Sequence, residues 1–195
     1  VQSLYEKKLT TYPRSDCSYL PENQFVDAGE ILNNLSGINE SFQKLVAETD
    51  TGTKSKAWND KKITAHHAII PTTKPCEFEN LSDSEKNIYT LIATCYIAQF
   101  YKPHIYNKAT VEITCNDLTF TASGKTVLEI GWKKLYSDNK TSEENILPVC
   151  SKGDKVVAIK TNLLEAVTKP PKRFTTATLL EAMKKIDKFV QNPKL

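Results

Sequence analysis

Thr10-Thr11-Tyr12-Pro13-Arg14-Ser15-Asp16-Cys17 places a tyrosine between a helix end and a proline, with an arginine two residues further on. Upstream, Leu4, Tyr5 and Leu9 alternate with Glu6, Lys7 and Lys8 in the manner of the last turns of an amphipathic helix. Pro13 disfavours helical backbone at the residue before it, so Tyr12 is expected in an extended, exposed segment. A free phenol titrates near pH 10 and is a weak nucleophile at neutrality unless a cation or base assists it. Arg14 is placed to do so, and its planar fork also suits a phosphate oxygen. Read alone, the octapeptide equally suits an ordinary surface loop.

Outward from this segment, period and punctuation predict mostly helix, then strand. Asp27 to Leu35 carries acids at its start and Ile31, Leu32 and Leu35 on one face, a short helix ended near Ser36-Gly37. Glu40 to Glu48 repeats the pattern with Phe42, Leu45 and Val46, and the polar stretch Thr49 to Lys62 reads as a surface loop. The clearest helix is Asp83 to Tyr101, announced by Ser82 with Glu85 three residues on, a capping box. Its expected apolar face is Ile88, Leu91, Ile92, Cys95, Tyr96 and Phe100, with Cys95 a small buried hydrophobe. Past Pro103 the period becomes two: Thr110 to Cys115, Leu118 to Ala122 and Thr126 to Trp132 predict an antiparallel meander with turns at Asn116-Asp117 and Ser123-Gly124. A further strand is expected over Lys155 to Leu164, a polar excursion over Ser137 to Asn145, and a last helix from Thr175 to about Val190.

Composition narrows the class. The 195 residues carry a formal charge of +3, mild for a nucleic-acid binder, so any phosphate surface must come from local placement. Lys7, Lys8, Arg14, Lys54, Lys56, Lys61 and Lys62 all fall in the first third. Five cysteines at wide, irregular spacing support neither a disulfide framework nor a zinc site and fit reduced thiols in a cytoplasmic protein. No apolar run approaches the roughly 20 residues needed to span a bilayer. A chain opening on Val1 reads as a processed product or as an excerpt from a longer protein.

Three segments in order carry a resemblance. Thr10 to Cys17 followed by Tyr19-Leu20-Pro21-Glu22 resembles the active-site tyrosine segment of type IA DNA topoisomerases, closest to the topoisomerase III branch. Ala65-His66-His67-Ala68-Ile69-Ile70-Pro71-Thr72 is similar to that family's Ala-His-x-Ala-Ile-x-Pro-Thr signature, and Arg173-Phe174-Thr175-Thr176-Ala177-Thr178-Leu179 to a third family segment. The resemblance implies an α+β architecture: a helix-rich, winged-helix-like tyrosine domain (1–107), an antiparallel β-rich arch segment (108–170) and the start of a following helical domain (171–195). It implies catalysis by Tyr12, Arg14 and His66, and DNA contacts from Arg14, Asp16, His66 and Lys8, with Asp16 orienting Arg14 or capping the next turn.

The same resemblance implies reversible, ATP-independent cleavage of single-stranded DNA through a 5′-phosphotyrosine, followed by strand passage and religation. The substrate would be single-stranded or negatively supercoiled DNA in the bacterial nucleoid or on plasmids, with a helicase or single-strand-binding protein as partner. Mg²⁺ would serve the full-length enzyme, bound by a TOPRIM domain, since nothing in this chain matches its Glu and Asp-x-Asp cluster, and no metal ligand is assigned here. The fragment alone is expected to be inactive. Where the branch often has arginine this chain has Ser18, and where it often has glycine this chain has Thr73. The rival reading is a DNA-binding or interaction module that keeps the fold without catalysis. A relaxase is disfavoured because His66, His67 and His104 lack the His-x-His-x-x-x-His spacing. From the residues alone, His66 is either a phosphate contact or a packed histidine opening the apolar Ala68-Ile69-Ile70 run.

Overall fold

The computed structural model describes residues 1–63, 65–136, 146–184 and 186. The chain divides into two units, 1–150 and 151–195. The first holds helices α1 (Gln2–Glu6), α2 (Ala28–Ser36), α3 (Glu40–Ala47) and α4 (Asp83–Ile97), then strands β1 (Ile105–Cys115) and β2 (Leu118–Glu129); the second holds α5 (Thr176–Lys184). The chain is thus mixed helix and antiparallel strand, consistent with α+β.

Local rules explain why these elements start and stop. α4 opens with the full capping box: the Glu85 N–H donates to the Ser82 hydroxyl, and the Ser82 N–H donates to the Glu85 carboxylate. α3 is capped by Asn39, whose side chain accepts from the Phe42 N–H. α1 ends in a Schellman motif: the Leu9 N–H donates to the Leu4 carbonyl and the Lys8 N–H to that of Tyr5, with Lys8 at φ 62. Leu4 and Leu9 are both buried and supply the motif's apolar contact. A lysine in left-handed backbone is strained by roughly 1–2 kcal/mol, and this bend aims the chain toward Tyr12.

The core of the first unit is aromatic. Leu20, Ile31, Leu32, Leu35, Phe42, Trp58, Tyr89, Tyr96, Ile97 and Phe100 form one buried cluster. Within it the Phe25 and Trp58 rings lie 5.0 Å apart edge to face, and Tyr96 and Phe100 5.2 Å apart. Such pairs add about 0.5–1.5 kcal/mol beyond the burial of their area.

α4 buries Tyr89, Ala93, Tyr96 and Ile97, with Phe100 following, so the expected face is turned by about a quarter of the helix circumference. Leu91 and Cys95 are exposed, which corrects the expectation of a buried Cys95. Tyr96 and Phe100 belong to both faces; burying the Tyr89 ring with Ile97 removes more apolar area from water than Leu91 and Cys95 could, and this sets the rotation.

The meander is a single long hairpin. Asn116 (φ 48) and Asp117 (φ 64) form its two-residue turn, both in left-handed backbone as a type I′ turn requires. Ser123-Gly124 is not a turn; it lies inside β2, opposite Thr110 and Ala109. Thr126 to Glu129 is therefore the continuation of β2 rather than a third strand. Residues 155–164 form no strand and are exposed, because no partner strand lies within their unit among the described residues, and an unpaired strand leaves its backbone ladder to water. Thr175 caps α5, accepting from the Thr178 N–H, while the expected extension toward Val190 falls largely outside the described residues, and the whole of the expected Ser137 to Asn145 excursion lies outside them.

Where the hairpin leaves and rejoins the helices, two chain segments cross closely. The Trp132 N–H donates to the Lys102 carbonyl at 3.0 Å, and His104 Nδ1 lies 3.1 Å from the Ile130 carbonyl. Gly131 sits between them at φ +53, and a Cβ there would lie 2.3 Å from the Lys102 oxygen and 2.4 Å from that of Pro103. Only glycine fits both the conformation and the space.

Candidate functional site

Two sequence-distant segments are laced together around Tyr12. The Thr11 N–H donates to the Ile70 carbonyl at 3.0 Å, and the Ile70 N–H donates back to the Thr11 hydroxyl at 3.0 Å. The Thr72 N–H donates to Leu9 O, and the Thr72 hydroxyl donates to Lys8 O. Farther along, the Ala68 N–H donates to Tyr19 O, and Leu20 pairs with the Trp58 segment. The chain carrying His66 therefore lies antiparallel beside the chain carrying Tyr12.

Tyr12 is 39% exposed, and two rings flank it. The His66 ring lies 4.7 Å away at 36°, and the Tyr5 ring meets it edge to face at 5.7 Å and 85°. His66 is exposed rather than packed into the core. His67 differs: it is half-buried, its Nδ1 lies 2.8 Å from Ala68 O and its Nε2 3.3 Å from the Gln24 amide nitrogen. A neutral ring protonated on Nδ1 satisfies both bonds, which makes His67 a strut for the segment beside it.

The basic residues of the first third separate into two groups. Lys7 pairs with Glu85, Lys54 with Glu22, and Lys62 donates to the Tyr19 hydroxyl while lying 4.7 Å over its ring. Arg14, Lys8, Lys56 and Lys61 are exposed and make no side-chain ion pair among the described residues. Arg14, two residues from Tyr12, thus presents its guanidinium to solvent. Asp16 is exposed nearby.

Glu85 is the residue whose reach the sequence conceals. Its capping role is legible from Ser82, yet the same carboxylate also accepts from Lys7 Nζ at 2.7 Å and from the Ser3 hydroxyl. Lys7 above all, then Ser3 and the Ser82 N–H, hold its pKa down at about 2. One carboxylate therefore fastens α1, with Tyr5 on it, to the start of α4. The contact of Tyr5 with Tyr12 was equally hidden, because it depends on the bend at Lys8.

Among the described residues no cluster of three or more His, Cys, Asp or Glu is placed to hold a metal ion. A cleft of about 580 Å³ opens elsewhere, between the 53–57 loop, Gln99 and Trp132, and none of Tyr12, Arg14 or His66 lines it. No helix among the described residues is long and apolar enough to cross a membrane.

Comparison with known proteins bears on this arrangement. A family profile described as DNA topoisomerase matches residues 1–187. Over its full length the chain is 42% identical to DNA topoisomerase 3 of Haemophilus influenzae and 40% identical to DNA topoisomerase 3 of Salmonella typhimurium, spanning 30% of each. It is 35% identical to the protein of the same name from Bacillus licheniformis, with 98% of this chain and 27% of that protein covered. With the match running through the tyrosine, histidine and Arg173 segments alike, this chain, spanning about 30% of its relatives' length, belongs to the type IA DNA topoisomerase family as a topoisomerase III-like portion.

Proposed function

We propose that this chain is the tyrosine-bearing part of an enzyme that cuts and reseals single-stranded DNA, with Tyr12 as nucleophile. The observation that carries the reading is the exposed Tyr12 phenol set against the exposed His66 ring by lacing between two family signature segments. In the step proposed, the Tyr12 oxygen, having lost its proton, attacks a backbone phosphorus. A phosphorus–oxygen bond forms to the phenol and the bond to the 3′ oxygen breaks, so that DNA is held as a 5′-phosphotyrosine and the 3′ oxygen takes a proton. Attack by that 3′-hydroxyl reverses the step without ATP, because the phosphodiester energy is kept in the tyrosyl link.

Arg14 supplies positive charge where it builds on the phosphate oxygens, and electrostatic stabilisation with positioning is what phosphoryl transfer chiefly requires. His66 contacts a phosphate next to the cut; a ring lying beside the phenol at 36° is suited to holding substrate there. Lys8 and Asp16 flank the track of the strand, Lys8 as a phosphate contact and Asp16 through the turn that carries Arg14. Residues 1–107 correspond to the winged-helix-like tyrosine domain, 108–170 to an arch segment and 171–195 to the start of a helical domain. Mg²⁺ would belong to a TOPRIM part of the parent protein. The parent would act in the cytoplasm on single-stranded or negatively supercoiled DNA, alongside a helicase or single-strand-binding protein.

The test is covalent trapping. The full-length parent is incubated with end-labelled single-stranded DNA, denatured, and its labelled peptide mapped. The label is expected on Tyr12, and Tyr12→Phe is expected to abolish the adduct while leaving DNA affinity within a few-fold. Cleavage retained by Tyr12→Phe would remove Tyr12 from the chemistry and favour a non-catalytic DNA-binding module.

A further inference from the structure

We infer that Tyr5 is a positioning residue for Tyr12: its ring edge fixes the direction in which the Tyr12 phenol points, so that cleavage depends on an aromatic ring at position 5. This rests on the reading of Tyr12 as nucleophile and adds a residue to it.

Tyr12 is exposed, and an exposed tyrosine has staggered side-chain alternatives that swing its hydroxyl through several ångströms. Two rings restrict it here. His66 covers one side at 4.7 Å, but it sits on an exposed segment and has substrate to engage. Tyr5 meets the Tyr12 ring at 85°, within the edge-to-face geometry that aromatic pairs prefer. The mount of Tyr5 is firm. Next to it in α1, Leu4 is fully buried, while Ser3 and Lys7 are both bonded to Glu85 at the start of α4. The Schellman bend at Lys8 then fixes the approach of α1 to the Tyr12 segment.

Tyr5 itself has neither a core role nor a hydrogen bond from its hydroxyl among the described residues. It is 40% exposed, and Tyr12 is the ring it contacts. A nucleophile held in one direction reacts faster because orientation is established before the transition state, and small misplacements are expensive. Losing one edge-to-face contact corresponds to a slowing of about three- to tenfold.

The experiment uses the full-length parent with saturating single-stranded DNA, measuring the single-turnover rate of adduct formation, DNA affinity and thermal unfolding for Tyr5→Leu and Tyr5→Phe. Tyr5→Leu is expected to slow adduct formation by about three- to tenfold with affinity unchanged, and Tyr5→Phe, which keeps the ring and drops only the hydroxyl, to restore the wild-type rate. Wild-type cleavage by Tyr5→Leu overturns the inference. So does a loss that appears only in affinity, or a Tyr5→Phe variant as slow as Tyr5→Leu. Should Tyr5→Leu unfold, Tyr5→Gln at wild-type stability carries the same comparison with Tyr5→Phe, and a wild-type rate for Tyr5→Gln overturns the inference. If Tyr12→Phe abolishes the adduct while Tyr5→Leu is normal, the positioning role alone fails; if Tyr12→Phe still forms adduct, the underlying reading fails.

Discussion

The helical region and the hairpin of the first unit handle apolar residues in opposite ways. The helical region turns Trp58, from the loop after α3, and Tyr89, Tyr96 and Phe100 inward against one another, whereas the hairpin leaves Leu118, Phe120 and Leu128 more than half exposed. The first region is held by packing. The second is held by its backbone ladder, its two-residue turn and the crossing at Gly131, and a two-stranded hairpin without a covered face is marginal in water. Tyr12, Arg14 and His66 all lie in the packed region, where a side chain's direction can be maintained.

The sharpest break in that comparison is a core deletion. Phe100→Ala is expected to destabilise the chain by about 3–5 kcal/mol, read from the urea midpoint, since a fully buried ring in contact with Tyr96 and Trp58 leaves a cavity. A loss below about 1 kcal/mol would mean the aromatic cluster is looser than its burial implies. Next comes Gly131→Ala. The added carbon meets two backbone oxygens at a positive φ, so one of the crossing segments must move, at a cost of about 2 kcal/mol or more. Because the crossing joins the hairpin to the helices, the expected readout is early hydrogen exchange at the Trp132 amide, with the Thr11 amide still protected. Simultaneous loss at both would show that the two regions unfold as one.

These differences also explain what the sequence discloses and what it conceals. The capping box at Ser82 and Glu85 and the Asn116-Asp117 turn are local, each decided by a few adjacent residues, and both are legible. The rotation of α4 was not, because the period leaves two overlapping apolar faces and only the tertiary burial of Tyr89 and Ile97 chooses between them. Ser123-Gly124 resembles a turn in isolation, but the register set at Asn116 places it mid-strand. At the candidate site, Tyr12, Arg14 and His66 were found through motif likeness. Tyr5 carried no signal, since its contact follows from left-handed backbone at Lys8, a conformation that lysine does not announce.

Acid offers a milder probe of the packed region. The Glu85 carboxyl, held at about 2 against an ordinary 4.5, favours the folded state wherever it is charged. Its contribution is complete above about pH 4.5 and is lost as pH falls from there toward 2. Asp50 is also lowered, by the Gly52 N–H and then Thr53, so the informative quantity is the difference between variants. Glu85→Gln is expected to flatten the fall in unfolding midpoint between pH 4.5 and 2, and Lys7→Ala to flatten part of it. An unchanged slope in both would mean that α1 is fastened chiefly by Leu4.

The smallest effect is expected at the hairpin. Phe120 faces Ile113 across the ladder and is 53% exposed, so Phe120→Ser removes little buried area. The unfolding midpoint should move by no more than about 0.5 kcal/mol equivalent, as at other surface positions. A loss above about 1.5 kcal/mol would require that ring to be covered in solution, and a dependence of the loss on protein concentration would identify the cover as a second copy of the chain. The substitution therefore measures whether the hairpin is supported by its ladder alone or by an apolar face that meets something. If the loss is small, the contrast between the two regions stands on packing: the candidate site belongs to the part of the chain that holds its own shape.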